Sequence, residues 1–313
     1  MKLTSFEKQY IDENPELSSR TLALQLWGTK RRKSTINDYR ERNPKSNSKL
    51  RVIDEQTFGT QPKKGFKITS PLETVGNIKI PTDNSRVLVI SDLHIPYHHK
   101  DAFVFLQHLK DKYDPTRVIC MGDELDKHSL SYHDSDPDLS SAGDELTKSL
   151  PYVKKLHNMF PVMDILESNH GSLVWRKAKT HGIPRHYLKS YQDVLEVDEG
   201  WSWHFDLTID LPTGNKCYFH HGKSADVTKL SQQMGMCAVQ GHYHNDFKVT
   251  YWGNPVGLFW GLQTGCLVDD ESYAFSYNNV NIKRPIIGTA VIINGQPVLE
   301  PMILNKKGRW VGA

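Results

Sequence analysis

Side chains of the kinds that bind metal ions follow five short apolar runs of the chain. The runs are RVLVI (86–90), RVIC (117–120), VMDIL (162–166), KCYFH (216–220) and CAVQ (237–240). They are followed by the motifs D-x-H, G-D, N-H, H-G and G-H-x-H, which contain Asp92, His94, Asp123, Asn169, His170, His221, His242 and His244. Runs of this length are typical of buried strands, and polar residues at the carboxyl ends of strands form the sites of open α/β sheets. The series therefore predicts one metal site.

No single motif of the series identifies a metal site. A lone D-x-H or G-D pair is more often an ordinary polar loop, and an N-H pair alone carries almost no information. G-H-x-H is more specific because His242 and His244 stand two residues apart, but structural histidines are also common. The prediction depends on all five motifs in order, each directly after an apolar run. Carboxylate and imidazole ligands suit Mn²⁺, Fe or Zn²⁺ better than Ca²⁺ or Mg²⁺ alone.

The ordered motifs resemble those of the calcineurin-like metallophosphoesterase superfamily, over roughly residues 86–270. The resemblance implies a four-layered αββα sandwich with a dinuclear metal centre at the edge of its sheets. By position, the first metal ion would be held by Asp92, His94 and His244, and the second by Asn169, His221 and His242. Asp123 would bridge both ions.

The implied chemistry is hydrolysis of a phosphate ester. Two divalent ions about 3.5–4 Å apart acidify a water and hold the attacking and leaving oxygens of an in-line displacement. The bridge at Asp123 has to be a carboxylate because it offsets the charge of two cations. We expect two metal ions per chain, Mn²⁺ first, with Fe, Zn²⁺ or Ni²⁺ as alternatives. The superfamily pattern gives His170 the catalytic role of donating a hydrogen bond to a phosphoryl oxygen and a proton to the leaving group.

Three positions depart from the superfamily pattern. Gly171 stands where an acid often follows the N-H pair, so His170 has no adjacent carboxylate to orient it. Ser168 replaces the usual glycine before that pair. The stretch GDELDKH has Lys127 and His128 where the protein-phosphatase branch has Arg-Gly. Lysine lacks the planar bidentate fork of arginine, which weakens a phosphoprotein interpretation.

Further polar residues near the motifs have weaker assignments. Arg176 and Lys223 are candidate substrate-binding residues for phosphate oxygens, with solvated surface charges as the alternative. His220 and His221 compete for one ligand position, and the residue directly before the glycine, His221, fits the motif. Asp126 is expected to have a structural or supporting role.

Apolar runs alternate with helical stretches in the middle of the chain. Examples of the helical pattern are AFVFLQHLKDKY (102–113) and LTKSLPYVKKLHNMF (146–160). Two strand-like segments then follow in succession, at 248–252 and 257–265. This order predicts a mixed α/β sheet structure with helices on the outside, in a catalytic domain over residues 85–313.

The first 45 residues form a predicted basic helical domain, joined to the rest by a predicted linker at 46–84. Residues 1–51 contain twelve basic and six acidic residues, a net charge of +6, whereas the whole chain has +3 and the remainder therefore −3. The helical rhythm resembles small helix-turn-helix modules of phage and recombination proteins, and the whole arrangement resembles bacteriophage members of the superfamily. Nucleic acid would contact Lys30, Arg31, Arg32 and Lys33. A solvated basic helix is the alternative.

The cysteines and the apolar segments of the chain indicate the cellular compartment in which we expect the protein. The four cysteines form no C-x-x-C pair and lie in or beside apolar runs, which favours a reducing environment over disulfides or a thiolate zinc site. The first residues contain no apolar segment of a secretory signal, and no run is long enough to span a membrane. We therefore expect a cytoplasmic protein without a membrane partner.

Three functions remain after these considerations. The leading interpretation is a phosphodiesterase or nuclease acting on nucleic acid or nucleotides. A phosphomonoesterase, including a protein phosphatase, is the second. A DNA-binding protein with a non-catalytic phosphoesterase body is the third, and the complete set of predicted ligands argues against it.

Overall fold

The computed structural model describes residues 3–14, 17–27, 33–42, 83–132, 140–269 and 284–312. The chain divides into two compact units, Met1–Lys67 and Ile68–Ala313. Among the described helices, none is long and apolar enough to cross a membrane.

The described residues of the first unit form three short helices, namely α1 (Ser5–Glu13), α2 (Ser19–Trp27) and α3 (Lys33–Arg42). They share a small apolar core of Ile11, Leu22, Ala23 and Ile36. Thr4 and Glu7 form a capping box at the start of α1, and the Ser18 hydroxyl accepts a hydrogen bond from the Thr21 N–H at the start of α2. The hydroxyl of Ser18 thus caps the amino end of α2.

The basic turn of this unit lies outside the described residues. Lys30, Arg31 and Arg32 belong to that segment, and the side chain of Lys33 is likewise not described. The predicted linker is outside the described residues up to position 82. The helix-turn-helix interpretation and its nucleic-acid contacts therefore stay predictions.

The described residues of the second unit form two mixed sheets. The described strands of the first sheet are β1 (Arg86–Ile90), β2 (Arg117–Cys120), β3 (Met163–Leu166), β4 (Trp201–His204), β10 (Gly288–Ile293) and β11 (Gln296–Pro301). Their order is β11-β10-β1-β2-β3-β4. Strands β1 to β4 are parallel neighbours, whereas β10 and β11 add to the β1 edge in antiparallel pairs. The parallel strands are connected through helices α4 (Ala102–Tyr113) and α5 (Ala142–Met159).

The second sheet has the order β5-β6-β7-β9-β8. Its strands are β5 (Leu207–Asp210), β6 (Lys216–His220), β7 (Cys237–Gln240), β8 (Phe247–Asn254) and β9 (Gly257–Thr264). Strands β6, β7 and β9 are parallel, and β5 and β8 are antiparallel at the two edges. The other helices of the described residues are α6 (Leu173–Thr180), α7 (Tyr191–Leu195) and α8 (Val227–Met234), and 3₁₀ turns lie at His128–Leu130 and Arg185–Tyr187.

The two sheets pack face to face between helices. Val87 and Val89 of β1 share a buried cluster with Phe219, Val239 and Leu262 of the second sheet. The alternate residues of β1, Leu88 and Ile90, belong to the cluster formed with α4 and α5. On the other outer face, Leu230 of α8 packs with Tyr218 and Ala238. The predicted αββα sandwich is therefore confirmed, and burial on both faces explains why β1 reads as a continuous apolar run.

Most predicted elements coincide with observed ones, and several elements were not predicted. The strands at 86–90, 117–120, 216–220 and 237–240 and the helix at 102–113 have the expected bounds. Helix α5 begins four residues earlier than its apolar pattern, where the Ser141 hydroxyl accepts from the Asp144 N–H. Strands β4, β5, β10 and β11 are additions, and β10 and β11 form a hairpin around Asn294 and Gly295, both at positive φ.

Candidate metal centre

The predicted metal ligands come together at one end of the sandwich. They lie in the loops after β1, β2 and β3 of one sheet and after β6 and β7 of the other, so parallel strands deliver them to the same edge. Two groups of predicted ligands have their ligand atoms within 4.8 Å of one another, namely Asp92, His94, Asp123 and His244, and Asp123, His221 and His242. In the described part of the chain, a further group of this kind lies beside the first and consists of His94, Asp126 and His170. Asn169 joins the second group, because its Oδ1 lies 2.6 Å from His221 Nε2 and 3.1 Å from His242 Nδ1.

Asp123 belongs to both groups through a single oxygen. Its Oδ2 lies 3.5 Å from His94 Nε2 in the first group and 3.3 Å from His221 Nε2 in the second. The side chain is only 1% exposed. This is the position that a ligand shared by two neighbouring cations requires.

Hydrogen bonds to the outer ring nitrogens orient two of the histidines. His94 Nδ1 lies 2.6 Å from Asp126 Oδ1, and the two side chains are 1% and 0% exposed. His221 Nδ1 lies 2.8 Å from the Met121 carbonyl oxygen. Because both partners are acceptors, each Nδ1 donates a proton outward, and Nε2 is the ring nitrogen that faces the group and could bind a cation. Asp126 therefore supports His94, in line with the supporting role expected from the sequence.

The donor set is suited to cations. Two buried carboxylates, Asp92 and Asp123, lie against imidazole nitrogens, and His244 Nε2 is 3.3 Å from both Asp92 Oδ1 and His94 Nε2. Such a concentration of buried acceptors requires positive charge nearby. Burial alone would lower the pKa of His221, but the carboxylates of Asp123 and Asp92 raise it to about 9. In the metal-free protein a proton on His221 thus supplies part of the charge that a cation would supply, and the residues fit a metal site.

The backbone is strained at four of the predicted ligands. Asp92, His94, Asp123 and His242 have φ of 47°, 49°, 49° and 68°, and they make up half of the eight non-glycine residues with positive φ in the described ranges. Each such conformation costs of the order of 1–3 kcal/mol and is typical of functional loops. The positive φ values are concentrated at these four residues, so the strained backbone is what directs their side chains to one point.

Two glycines of the motifs allow this close packing. Gly122, at φ 98°, precedes Asp123, and a Cβ there would lie 2.6 Å from the Leu166 carbonyl oxygen. Gly241 precedes His242, and a Cβ there would lie 2.5 Å from Asp92 Oδ2. The glycines of the G-D and G-H-x-H motifs therefore have a steric reason.

His170 lies beside the first group and outside the predicted ligand sets. Its Nδ1 hydrogen-bonds the Asp126 carbonyl oxygen, and its backbone N–H donates to Asp123 Oδ1 at 3.1 Å. The ring packs edge-on against His94, with 4.7 Å between centroids. The backbone carbonyl of Asp126 therefore orients the His170 ring, a role that an acid at position 171 would otherwise have. The carboxylate Oδ1 of Asp126 lies farther away, at 3.8 Å from His170 Nδ1.

Ser168 and Lys127 hold the loop that carries Asn169 and His170. The Ser168 hydroxyl accepts hydrogen bonds from the N–H groups of Asp123 at 3.0 Å and Gly171 at 2.8 Å. Lys127 Nζ donates to the Gly171 carbonyl oxygen at 2.9 Å. Ser168 thus contacts the loop after β2 through Asp123, and Lys127 of that loop contacts the loop after β3 through Gly171. These two residues, which differ from the superfamily pattern, hold the two loops together.

The structure places Arg176 and Lys223 against protein groups near the centre. Arg176 Nη1 is 3.4 Å from the Asn169 carbonyl oxygen, and its guanidinium lies over the Tyr132 ring at 4.9 Å. Lys223 Nζ is 3.5 Å from the Tyr218 hydroxyl. Neither lines the cleft described next, and their phosphate-binding role stays a prediction.

A cleft of about 370 Å³ opens beside the second ligand group. Asn169, His221 and His242 contribute to its wall. Trp175, Arg185 and Phe205 also line it, and sequence reasoning did not identify these three residues. They come from three separate segments of the chain, and no local pattern marks them as neighbours.

Comparison with known proteins shows only distant likeness in structure. Neither a family model nor a curated protein matches the sequence. Vps29 of Chaetomium thermophilum is 10% identical, with 74% of this chain and 94% of that chain covered and a TM-score of 0.40. The E. coli phosphoesterase YfcE is 11% identical, with 72% and 96% covered and a TM-score of 0.35. Vps29 of Cryptosporidium parvum is 16% identical, with 69% and 95% covered and a TM-score of 0.35. Likeness at this level assigns no function, which has to be argued from the side chains of the site.

Proposed function

We propose that this chain is a dinuclear-metal-dependent phosphoesterase of the calcineurin-like superfamily. The observation that carries the proposal is the position of Asp123, whose Oδ2 lies within 3.5 Å of ligand nitrogens in both groups. The ordered motifs and the strained loops that bring them together support the same function. A purely structural role would not require four predicted ligands in a strained conformation.

The first cation would be held by Asp92, His94 and His244, the second by Asn169, His221 and His242, and Asp123 would bridge them. Mixed carboxylate and imidazole ligands favour Mn²⁺, with Fe, Zn²⁺ or Ni²⁺ as alternatives. Two bound divalent ions would supply an acidified water and positive charge for the phosphoryl oxygens.

His170 is the residue to which we assign proton transfer at the leaving group, and its contacts with protein groups support this role. Its Nδ1 proton is directed to the Asp126 carbonyl oxygen, so Nε2 is the ring nitrogen that would exchange a proton with the substrate. The hydrogen bond from its own backbone N–H to Asp123 Oδ1 fixes its distance from the bridging carboxylate. His170 would therefore protonate the departing oxygen without acting as a ligand.

The substrate class we favour is a phosphodiester of nucleic acid or a nucleotide. The charge of residues 1–51, a net +6, supports attraction to a polyanion, through Lys30, Arg31, Arg32 and Lys33. The cleft beside the second ligand group has room for an organic substituent of the phosphate, such as a nucleoside.

Hydrolysis of two chromogenic esters tests the proposal. With Mn²⁺ present, bis-p-nitrophenyl phosphate should be hydrolysed faster than p-nitrophenyl phosphate, and a chelator should abolish both reactions. Cleavage of single- and double-stranded DNA would then be compared. Hydrolysis of the monoester alone would favour a phosphomonoesterase, and no hydrolysis with any of the four metals would contradict the assignment.

A further inference from the structure

We propose that the cleft beside the metal centre binds a nucleobase of the substrate, with Trp175 and Phe205 as aromatic contacts and Arg185 as the cationic one. This inference rests on the proposed phosphoesterase function and adds a specificity site to it. It concerns residues outside the predicted ligand sets.

The cleft begins at the metal centre. Asn169, His221 and His242 of the second ligand group form part of its wall, so a group esterified to a phosphate at the centre would extend into it. Its volume of about 370 Å³ lies within the ordinary range of pockets for small molecules. The cleft can therefore hold a substituent of the phosphate and not only the phosphate itself.

The guanidinium of Arg185 lies over the ring of Trp175 in this cleft. The Arg185 guanidinium carbon lies 4.2 Å from the centre of the Trp175 ring. Both residues are half-buried, Trp175 on α6 and Arg185 in the 3₁₀ turn that follows. An arginine held over an indole keeps its charge, and the guanidinium is itself a planar group, a combination that proteins use to bind bases and phosphates.

Phe205 and His220 form a second part of the wall. Phe205 lies in the short connection between β4 and β5 with 49% of its surface exposed, and its ring meets the His220 ring edge-on at 5.5 Å. The Gly222 N–H donates to His220 Nδ1 at 3.1 Å, so the proton of the His220 ring is on Nε2. An exposed phenyl ring beside an imidazole donor suits a flat ligand with acceptor atoms at its edge.

A base fits these contacts better than the other substituents of a phosphate ester. Aromatic side chains stack on any base at about 1–3 kcal/mol each, and arginine adds a cation–π contribution. An alkyl chain would bury apolar surface, but it could neither stack on the Arg185 guanidinium nor accept a hydrogen bond from it. A phosphotyrosine ring is the aromatic alternative, and it becomes one outcome of the test.

Calorimetric binding to the Mn²⁺-loaded protein tests the inference. The ligands are deoxyadenosine 5′-phosphate and 2-deoxyribose 5-phosphate, in which a hydroxyl group replaces the base on the anomeric carbon. We expect the nucleotide to bind roughly 5- to 150-fold more tightly, the factor that corresponds to 1–3 kcal/mol for one stacked base. Trp175→Ala and Phe205→Ala should each lower this ratio, and Trp175→Phe should retain most of it.

Tyr251→Ala is the matched control, because Tyr251 is also 49% exposed but does not line the cleft. This variant should keep the wild-type ratio. Equal affinity for the two ligands, in a protein that still binds Mn²⁺ and hydrolyses bis-p-nitrophenyl phosphate, would overturn the inference and leave the proposed function standing. Tighter binding of phosphotyrosine than of the nucleotide, with the same dependence on Trp175, would also overturn it. If the wild-type protein neither bound Mn²⁺ nor hydrolysed bis-p-nitrophenyl phosphate, that result would instead contradict the proposed function.

Discussion

Replacing Asp126 by Asn should weaken metal binding although Asp126 is not a predicted ligand. Its Oδ1 lies 2.6 Å from His94 Nδ1, and the carboxylate is completely buried. The carboxylate fixes the ring of His94 and makes Nε2 a stronger donor to a cation. Asn retains an oxygen acceptor of nearly the same shape but removes the charge, so the ring keeps its orientation and loses basicity.

The expected loss is a factor of about 10–100 in metal affinity, the usual effect of removing a partner of a ligating histidine. This factor corresponds to about 1.4–2.8 kcal/mol of binding free energy. The Asp126→Ala variant should lose more metal affinity, because no side-chain acceptor would remain at position 126 to hold the His94 ring.

Titration of the metal-free proteins with Mn²⁺ by calorimetry measures this loss. Asp164→Asn is the matched control, since Asp164 is also a buried carboxylate beside a histidine, with His204 Nε2 at 2.9 Å, and lies outside the metal centre. The control should bind Mn²⁺ as the wild type does. Wild-type affinity in Asp126→Asn, or an equal loss in Asp164→Asn, would refute the reasoning.

Three further predictions concern the catalytic acid, the protonation of the site and the basic segment. His170→Ala should keep its metal content but lose a factor of roughly 10²–10⁴ in kcat, and a variant that loses metal would move His170 into the ligand set. Because the pKa of His221 is raised to about 9 in the metal-free protein, His221 holds a proton at pH 7 that a cation must displace. Mn²⁺ affinity should therefore rise with pH up to about 9, and titrations in two buffers of different ionisation enthalpy should show proton release; affinity independent of pH would count against the assignment. Changing Lys30, Arg31, Arg32 and Lys33 together to Ala should flatten the salt dependence of DNA binding by up to about four units, while hydrolysis of a small ester stays unchanged. An unaltered slope in a filter-binding or anisotropy series would remove the basic segment from the nucleic-acid interface.

The position of the candidate metal site was predictable because it follows from the strands. An apolar run such as RVLVI identifies β1, and the residues directly after it, Asp92 and His94, then have to lie at the carboxyl edge of the sheet. The same argument applies at each of the other four loops. The convergence of two sheets on Asp123 required the structure, because nothing in the local sequence gives the distance between β2 and β6.

Other features were not predicted, for different physical reasons. The hairpin of β10 and β11 has a readable signal, the Asn294-Gly295 pair, in which both residues adopt the positive φ of a tight hairpin turn. The cleft has no such signal, since Trp175, Arg185 and Phe205 become neighbours only through tertiary packing. From the sequence, Ser168 is only a replacement for the usual glycine before the N-H pair. In the structure its hydroxyl accepts a hydrogen bond from the Asp123 N–H and so helps to position that residue.

The central claim is that one carboxylate, Asp123, joins two cations in a hydrolytic centre. Metal analysis of the wild type and of Asp123→Asn after equilibration with Mn²⁺, together with hydrolysis of bis-p-nitrophenyl phosphate, tests it most directly. We predict two equivalents per chain in the wild type, and in the variant at most one equivalent with nearly all hydrolysis lost, because the anion between the two ions is missing. Two full equivalents and normal turnover in Asp123→Asn would contradict the claim.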